Sequence, residues 1–181
     1  MKIWAALSEA FAGWMKILRG ESGWQSHFAL GPAGLATVLV IFVFFALVSI
    51  AIASIGVNMP TLPGLAAGLV VQCLSLLALL LAALITRSAV PGRQPLLALI
   101  VPGLYALVCY LVLGTVFSMF GGIVLLILWL GLGYLFYRLA RMAAQWSIGV
   151  SIAFAVLTMA LLVGMPMTLY MLTGPIAAPA P

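Results

Sequence analysis

The chain consists of long apolar runs separated by short segments of turn-forming residues. The first run covers residues 33–56 and ends at 57–63, where an asparagine and two prolines favour a turn. The second covers 64–86 and ends at 87–95, where two arginines flank a Pro-Gly pair. Because about 20 apolar residues cross the hydrocarbon core of a bilayer as a helix, each run is long enough for one membrane span.

The second half of the chain predicts three more spans. Residues 96–137 stay apolar for much longer than one crossing, and Gly121 with Gly122 forms the one plausible turn among them. We therefore expect two antiparallel helices, 96–117 and 120–137. A last apolar run, 146–170, follows two further arginines.

Composition makes lipid the solvent for most of this chain. Of its 181 residues, 67% are hydrophobic and 5% are charged, so polar side chains are too few to cover a soluble globule. The runs also lack the alternation of apolar and polar residues that a membrane barrel requires. The sequence predicts an all-α fold, a polytopic transmembrane bundle of five helices over residues 33–170, followed by a Pro- and Ala-rich tail at 171–181.

All basic residues fall in segments that this arrangement puts on one side of the membrane. They precede the first span or lie between spans two and three or four and five: Lys2, Lys16, Arg19, Arg87, Arg93, Arg138 and Arg141. The opposite loops and the tail carry no charge. Since segments rich in Lys and Arg are retained in the cytoplasm, we expect a cytoplasmic amino terminus and an external carboxyl terminus, in the cell inner membrane.

The first 23 residues predict an amphipathic helix rather than a signal peptide, because Glu9, Lys16 and Arg19 interrupt the apolar stretch. At about 100° per residue, one set of apolar side chains falls within an arc of roughly 80°: Trp4, Leu7, Phe11, Trp14 and Leu18. Lys2, Glu9, Gly13 and Lys16 lie on the opposite side of the helix. Such a helix is typical of the cytoplasmic headgroup interface. The alternative is that its apolar stripe packs on the ends of the spans or on a partner protein.

Few groups in the chain could do chemistry. Both carboxylates, Glu9 and Glu21, and the single histidine, His27, lie outside the predicted spans. The spans therefore hold no acid for proton coupling and no histidine pair for haem or a metal. We assign no catalytic residue, cofactor-binding residue, metal ligand or cofactor, and we expect no enzymatic activity.

Some polar, aromatic and sulfur-containing residues within the spans are candidates for contacts between helices. Gln72, with Ser75, is expected to hydrogen-bond to a neighbouring helix, and a substrate site is the alternative. The indole N–H of Trp129 favours a position facing another helix over one facing lipid. Cys73 and Cys109 are expected at similar depth as two reduced core thiols, although a contact between them is geometrically allowed.

Five spans, a cytoplasmic amino-terminal segment and a short external tail resemble the arrangement of Yip1-type membrane proteins. Residues 18–20 (LRG), 34–35 (GL) and 137–141 (YRLAR) are also similar to small inner-membrane proteins of alphaproteobacteria. The acidic, tyrosine-containing signature of the eukaryotic Yip1 first span does not occur in this chain. The resemblance implies a helix-bundle scaffold or membrane organiser, and it carries over no functional residue.

We therefore expect a non-enzymatic integral membrane protein that acts as an accessory, scaffold or assembly subunit, or as a Yip1-like membrane organiser. The alternative is a small transporter or channel without charge coupling inside the membrane. The expected partners are the lipid bilayer and other membrane-protein subunits, and not nucleic acid.

Overall fold

The computed structural model describes residues 2–54, 62–90, 95–118 and 122–173, with side chains from residue 4 onward. Six α-helices follow one another in these ranges: α1 (Lys2–Arg19), α2 (Pro32–Ala53), α3 (Leu62–Ala89), α4 (Leu97–Phe117), α5 (Gly122–Leu139) and α6 (Ile148–Thr173). A 3₁₀ turn, Trp24–His27, lies between α1 and α2, and a π-helical turn, Ala140–Ala144, continues α5. No β-strand occurs in the described ranges.

Five of these helices are long and apolar enough to cross a membrane: α2, α3, α4, α6, and α5 together with its π-helical turn. This confirms the predicted all-helical class and the expected number of candidate spans. The helix ends lie within a few residues of the predicted runs. The predicted turn at 57–63 falls largely outside the described residues, as does the predicted tail from residue 174 onward.

Consecutive spans run in opposite directions, which brings their connected ends together. The end of α3, the start of α4, the end of the π-helical turn and the start of α6 meet around one small cavity lined by Ala83, Leu96, Ala144 and Trp146. Arg87 also lines it, so we call this the basic end of the bundle. At the opposite end, Ser49 of α2, Thr115 of α4 and Leu125 of α5 are among the residues that line a larger cleft.

Helix α4 occupies the centre of the bundle. Eleven of its residues are buried, against five in α2 and five in α3. It packs on α2, α3 and α5, and also contacts α1 and the π-helical turn. Helix α3 packs most extensively on α6, and α2 on α4.

Small residues set how closely these helices approach. A Cβ atom at Gly103 of α4 would lie 2.8 Å from a methyl group of Leu79 in α3. On α3 itself, Ala78, Ala82 and Ala83 are fully buried beside this contact. Gly68, part of a small-residue pattern at the start of α3, faces Ile50 of α2. Since lipid tails are as apolar as the side chains, such close contacts are a main source of helix association in a membrane.

Candidate functional site

Helix α1 lies against the basic end of the bundle, where it contacts α4 and α5. Its buried face consists of Ala10, Gly13, Trp14 and Ile17. A Cβ atom at Gly13 would lie 2.5 Å from the ring of Phe28, so only glycine lets this ring pack directly on the helix.

The ring of Phe28 connects α1 to the centre of the bundle. Its centroid lies 5.9 Å from that of Tyr105 in α4 and 6.0 Å from that of Trp24 in the 3₁₀ turn. Ring pairs at this separation contribute about 0.5–1.5 kcal/mol beyond the area that they bury. Helix α1 and the turn after it therefore form one packed unit with α4.

The face of α1 that packs is not the apolar stripe expected from the sequence. Within that stripe, Trp14 alone is fully buried, while Trp4 is 77% exposed and Phe11 is 68% exposed. Gly13, on the side opposite the stripe, is buried instead. The reason is steric, because Gly13 admits Phe28 where a larger side chain would hold the helix away. Helix α1 thus has three faces: a packed one, an exposed apolar one and a polar one.

Two sets of hydrogen bonds hold the carboxyl end of α1. Gly20 adopts a left-handed conformation (φ +75°), which lets its N–H and that of Glu21 donate to the carbonyls of Ile17 and Lys16 at 3.2 and 3.0 Å. From α5, Nη2 of Arg138 donates to the carbonyl oxygens of Ile17 and Leu18 at 3.1 and 2.6 Å. A guanidinium at this position satisfies free carbonyls and also complements the negative end of the helix dipole.

A second arginine closes the connection between α5 and α6. Nη1 of Arg141 donates to the carbonyl oxygen of Trp146 at 2.7 Å, next to the left-handed Gln145 (φ +53°). The Arg19 and Glu21 side chains lie 3.8 Å apart, but both are exposed and the pair contributes little. Arg87 makes no hydrogen bond to any described residue. Two arginines at the basic end therefore bind backbone carbonyls.

A cavity of about 180 Å³ lies between α3, α4, α5 and α6, in the half of the bundle away from the basic end. Its polar lining consists of Gln72, Ser75, Tyr110 and Trp129, and its remaining lining is apolar. The Ser75 hydroxyl donates to the Gln72 carbonyl within α3 at 2.6 Å. The side chains of the other three make no hydrogen bond to a described residue.

The expectation that Gln72 and Ser75 join α3 to a neighbouring helix is wrong for the part of the chain described. Both line the cavity, and the serine hydrogen-bonds within its own helix. Trp129 lines this cavity, so its side chain lies between helices, as the sequence predicted. Sequence reasoning missed Tyr110 altogether, although a tyrosine in the outer half of an apolar span was an available signal.

Two neighbouring spaces share residues with this cavity. Tyr110 and Leu111 also border the larger cleft at the end of the bundle, about 520 Å³, in which the hydroxyls of Ser49 and Thr115 hydrogen-bond at 2.7 Å. Trp129 also borders a groove of about 470 Å³ between α5 and α6, which Leu130, Val156 and other apolar or aromatic residues line. The cavity is thus the middle one of three adjoining spaces.

The two cysteines are free thiols, but neither belongs to the buried core. Cys73 is half-buried and Cys109 is exposed. On α4, residues 98–104 and 106–108 are buried, whereas residues 109, 110 and 112–117 are not, and Cys109 lies in this less buried second half. The assignment of Cys109 as a core residue was therefore wrong, since the apolar sequence of α4 gives no sign of which side faces outward.

Among the described residues no group of three His, Cys, Asp or Glu side chains could hold a metal ion. His27 lies in the 3₁₀ turn beside Gly13, away from the cavity. Comparison of the chain with protein-family models, curated proteins and solved structures finds no match.

Replacing Arg138 by alanine should loosen α1 from the bundle. Each hydrogen bond from a charged group contributes about 1.5–3 kcal/mol, so loss of both should raise hydrogen–deuterium exchange at residues 14–20 at least about tenfold. Arg87→Ala, which removes the same charge at the same end, serves as the control and should leave this exchange unchanged. Equal exchange in the two variants would show that Arg138 does not hold the helix.

Proposed function

We propose that this chain is a non-enzymatic multi-pass protein of the cell inner membrane that acts as an accessory or scaffold subunit, or as a Yip1-like membrane organiser. The observation that carries the proposal is the docked, three-faced helix α1. A helix packed on the bundle through one face, with Trp4 and Phe11 exposed on a second, is built to lie at a membrane surface.

The angular positions of the side chains around the axis of α1 support this placement. At about 100° per residue, Trp4 and Phe11 lie roughly a third of a turn from the middle of the packed face. Glu9 and Lys16 lie about as far on the other side of the packed face. A helix resting sideways against the bundle thus turns its tryptophan and phenylalanine toward the hydrocarbon and its charged residues toward water.

Charge supports the orientation. Helix α1 and the three described arginines of the spans gather at one end of the bundle. Because Lys and Arg are retained on the cytoplasmic side, this end is the cytoplasmic one and the amino terminus lies there. Anionic lipids of that leaflet would attract Lys16 and Arg19.

The scaffold role is favoured over transport by the packing between the cavity and the basic end. Leu79, Leu107 and Leu139 are fully buried there, and Gly103 lies against Leu79. The described helices are in contact at this level. The cavity at Gln72 favours the transporter alternative, but no charged residue lines it.

Reporter fusions test the orientation. Fusions after Gln94 and Gln145 should report a cytoplasmic location, and fusions after Pro63 and at Pro181 an external one. Each Lys or Arg at the centre of a span costs about 2.5–3.5 kcal/mol on insertion scales, which disfavours an arrangement with basic segments inside the membrane. An external signal from the Gln94 fusion is incompatible with the five-span orientation.

Photo-crosslinking tests the position of α1. A photoreactive phenylalanine analogue at Phe11, on the exposed apolar face, should form adducts with lipid, detected as a mass increase of the intact protein. The same analogue at Ala12, on the polar side of the helix, is the matched control and should give at least about fivefold less lipid adduct, because it faces the headgroups and water. Equal adduct yields at both positions would remove the interfacial helix from the proposal.

Gentle extraction tests the accessory role. Protein solubilised from native membranes in a mild detergent should co-purify with a membrane-protein partner at fixed stoichiometry. A variant with Trp4 and Phe11 both changed to serine should reach the membrane and keep its fold, since both side chains are exposed. Recovery of this chain alone, under conditions that preserve a known membrane complex, contradicts the accessory role.

A further inference from the structure

We propose that the cavity between α3, α4, α5 and α6 binds the ring-sized head group of an uncharged lipid that carries carbonyl or hydroxyl oxygens. The site lies outside the machinery of the proposed scaffold role and does not depend on it. Four observations support it: the depth of the cavity, its unpaired polar groups, its volume and the groove that adjoins it.

The cavity lies at a depth where unpaired polar groups are costly. Gln72 is ten residues from the start of α3 and Trp129 seven residues from the start of α5. At 1.5 Å per residue these are distances of about 15 and 10 Å from the same end of the bundle. Polar groups inside a span usually face a partner, a cavity or another helix, because hydrocarbon offers them no hydrogen bond. Here they face a cavity, and a ligand can supply the missing bonds.

The polar groups define the chemistry of that ligand. The Gln72 amide and the Tyr110 hydroxyl can each donate and accept, and the Trp129 indole can donate. Pro166, which also lines the cavity, has no N–H for the carbonyl of Leu162 one turn earlier, and Leu162 is a lining residue too. No charged residue lines the cavity, so the complement is a neutral group with oxygen atoms.

The volume fits one ring. The cavity measures about 180 Å³, and an engineered apolar cavity of roughly 150 Å³ is known to bind benzene. Tyr110 and Trp129 provide two aromatic side chains in the lining. Planar rings pack well on such side chains, in stacked or edge-to-face arrangements.

The groove between α5 and α6 can hold the tail of the same lipid. It shares Trp129 with the cavity, so the two spaces adjoin at this side chain. Gly133 and Met159 both line it, and a Cβ atom at Gly133 would lie in ordinary van der Waals contact with Met159, at 3.6 Å. The remaining lining, including Leu130, Ile152 and Val156, matches an isoprenoid or acyl chain.

A short-chain isoprenoid quinone is the probe for this site, because it joins a carbonyl-bearing ring to an apolar tail. Its binding to the full-length protein in nanodiscs is measured by isothermal titration calorimetry. Tyr110→Phe and Gln72→Leu should each weaken binding about tenfold, the effect of losing one hydrogen bond from a dry site. Tyr170→Phe, which alters an exposed tyrosine of α6 outside both the cavity and the groove, is the matched control and should bind within about twofold of the unaltered protein.

Two further ligands test whether binding requires the ring of the quinone or accepts any neutral lipid. Farnesol, a tail without the ring, should bind at least about tenfold more weakly than the quinone. Dioctanoylglycerol, a neutral lipid whose hydroxyl-bearing head group is not a ring, should do the same. Equal binding of either one would overturn the ring assignment. Trp129→Phe is a second variant for the same test. If the quinone binds Tyr110→Phe and Trp129→Phe as tightly as the unaltered protein, the proposed site is wrong.

Discussion

The bundle depends on how closely its helices approach α4, because lipid, unlike water, does not drive apolar helices together. In water, burial of apolar side chains would supply the association energy, but a leucine facing lipid gains little by facing another leucine. What remains is contact at van der Waals distance, summed over many atom pairs. Gly103 against Leu79, with the buried alanines of α3, provides such contacts at the centre of the molecule. Helices α2, α3 and α5 pack on α4 directly, and α6 takes its position from α3 and α5.

Hydropathy could predict the helices but not how they pack. Spans are visible in the sequence because their length is set by the bilayer and their ends by Pro, Gly and Arg. The sequence does not show which side of α4 faces lipid, because α4 is apolar on every side and a lipid-facing residue is as hydrophobic as a buried one. Cys109 was misplaced for this reason. Small residues such as Gly103 and Gly13 were the better signal, because they mark close contacts whatever the hydropathy.

The same limit explains why the cavity was not foreseen. Gln72 was recognised as the most polar residue of a span, and the default expectation for such a residue is a hydrogen bond to the next helix. Whether it finds one depends on the distance between helices. Around Gln72 the helices leave a space of about 180 Å³. Polar residues in membranes therefore indicate either a contact or a cavity, and packing decides between them.

Arginines connect the topology of the chain to its tertiary structure. Lys and Arg close to the end of a span favour retention of a segment in the cytoplasm, whatever the detailed position of their side chains. Arg138 and Arg141 have a second use, in that their guanidinium groups bind carbonyls of Ile17, Leu18 and Trp146. A lysine would satisfy the first requirement and also carries several N–H donors, but its ammonium is more strongly hydrated than the guanidinium that Arg138 holds against two carbonyls. Arg138 therefore serves the docking of α1 as well as the topology.

The two halves of the bundle differ in a way that follows from these interactions. At the basic end, α1, the 3₁₀ turn and the π-helical turn add packing around α4, and ring contacts such as Phe28 with Tyr105 fill the space between them. The other half lacks such additional elements among the described residues, and there the spans enclose the cavity at Gln72 and the cleft at Ser49. Pro166 lies in this half of α6 and lines the cavity together with Leu162, whose carbonyl has no N–H partner at Pro166. Packing is thus closest where α1 docks, although the buried N–H groups of Trp14, Arg138 and Trp146 at that end lack a hydrogen-bond partner among the described residues. Polar groups without a partner therefore occur in both halves, and in the other half those of Gln72, Tyr110 and Trp129 line a cavity of about 180 Å³.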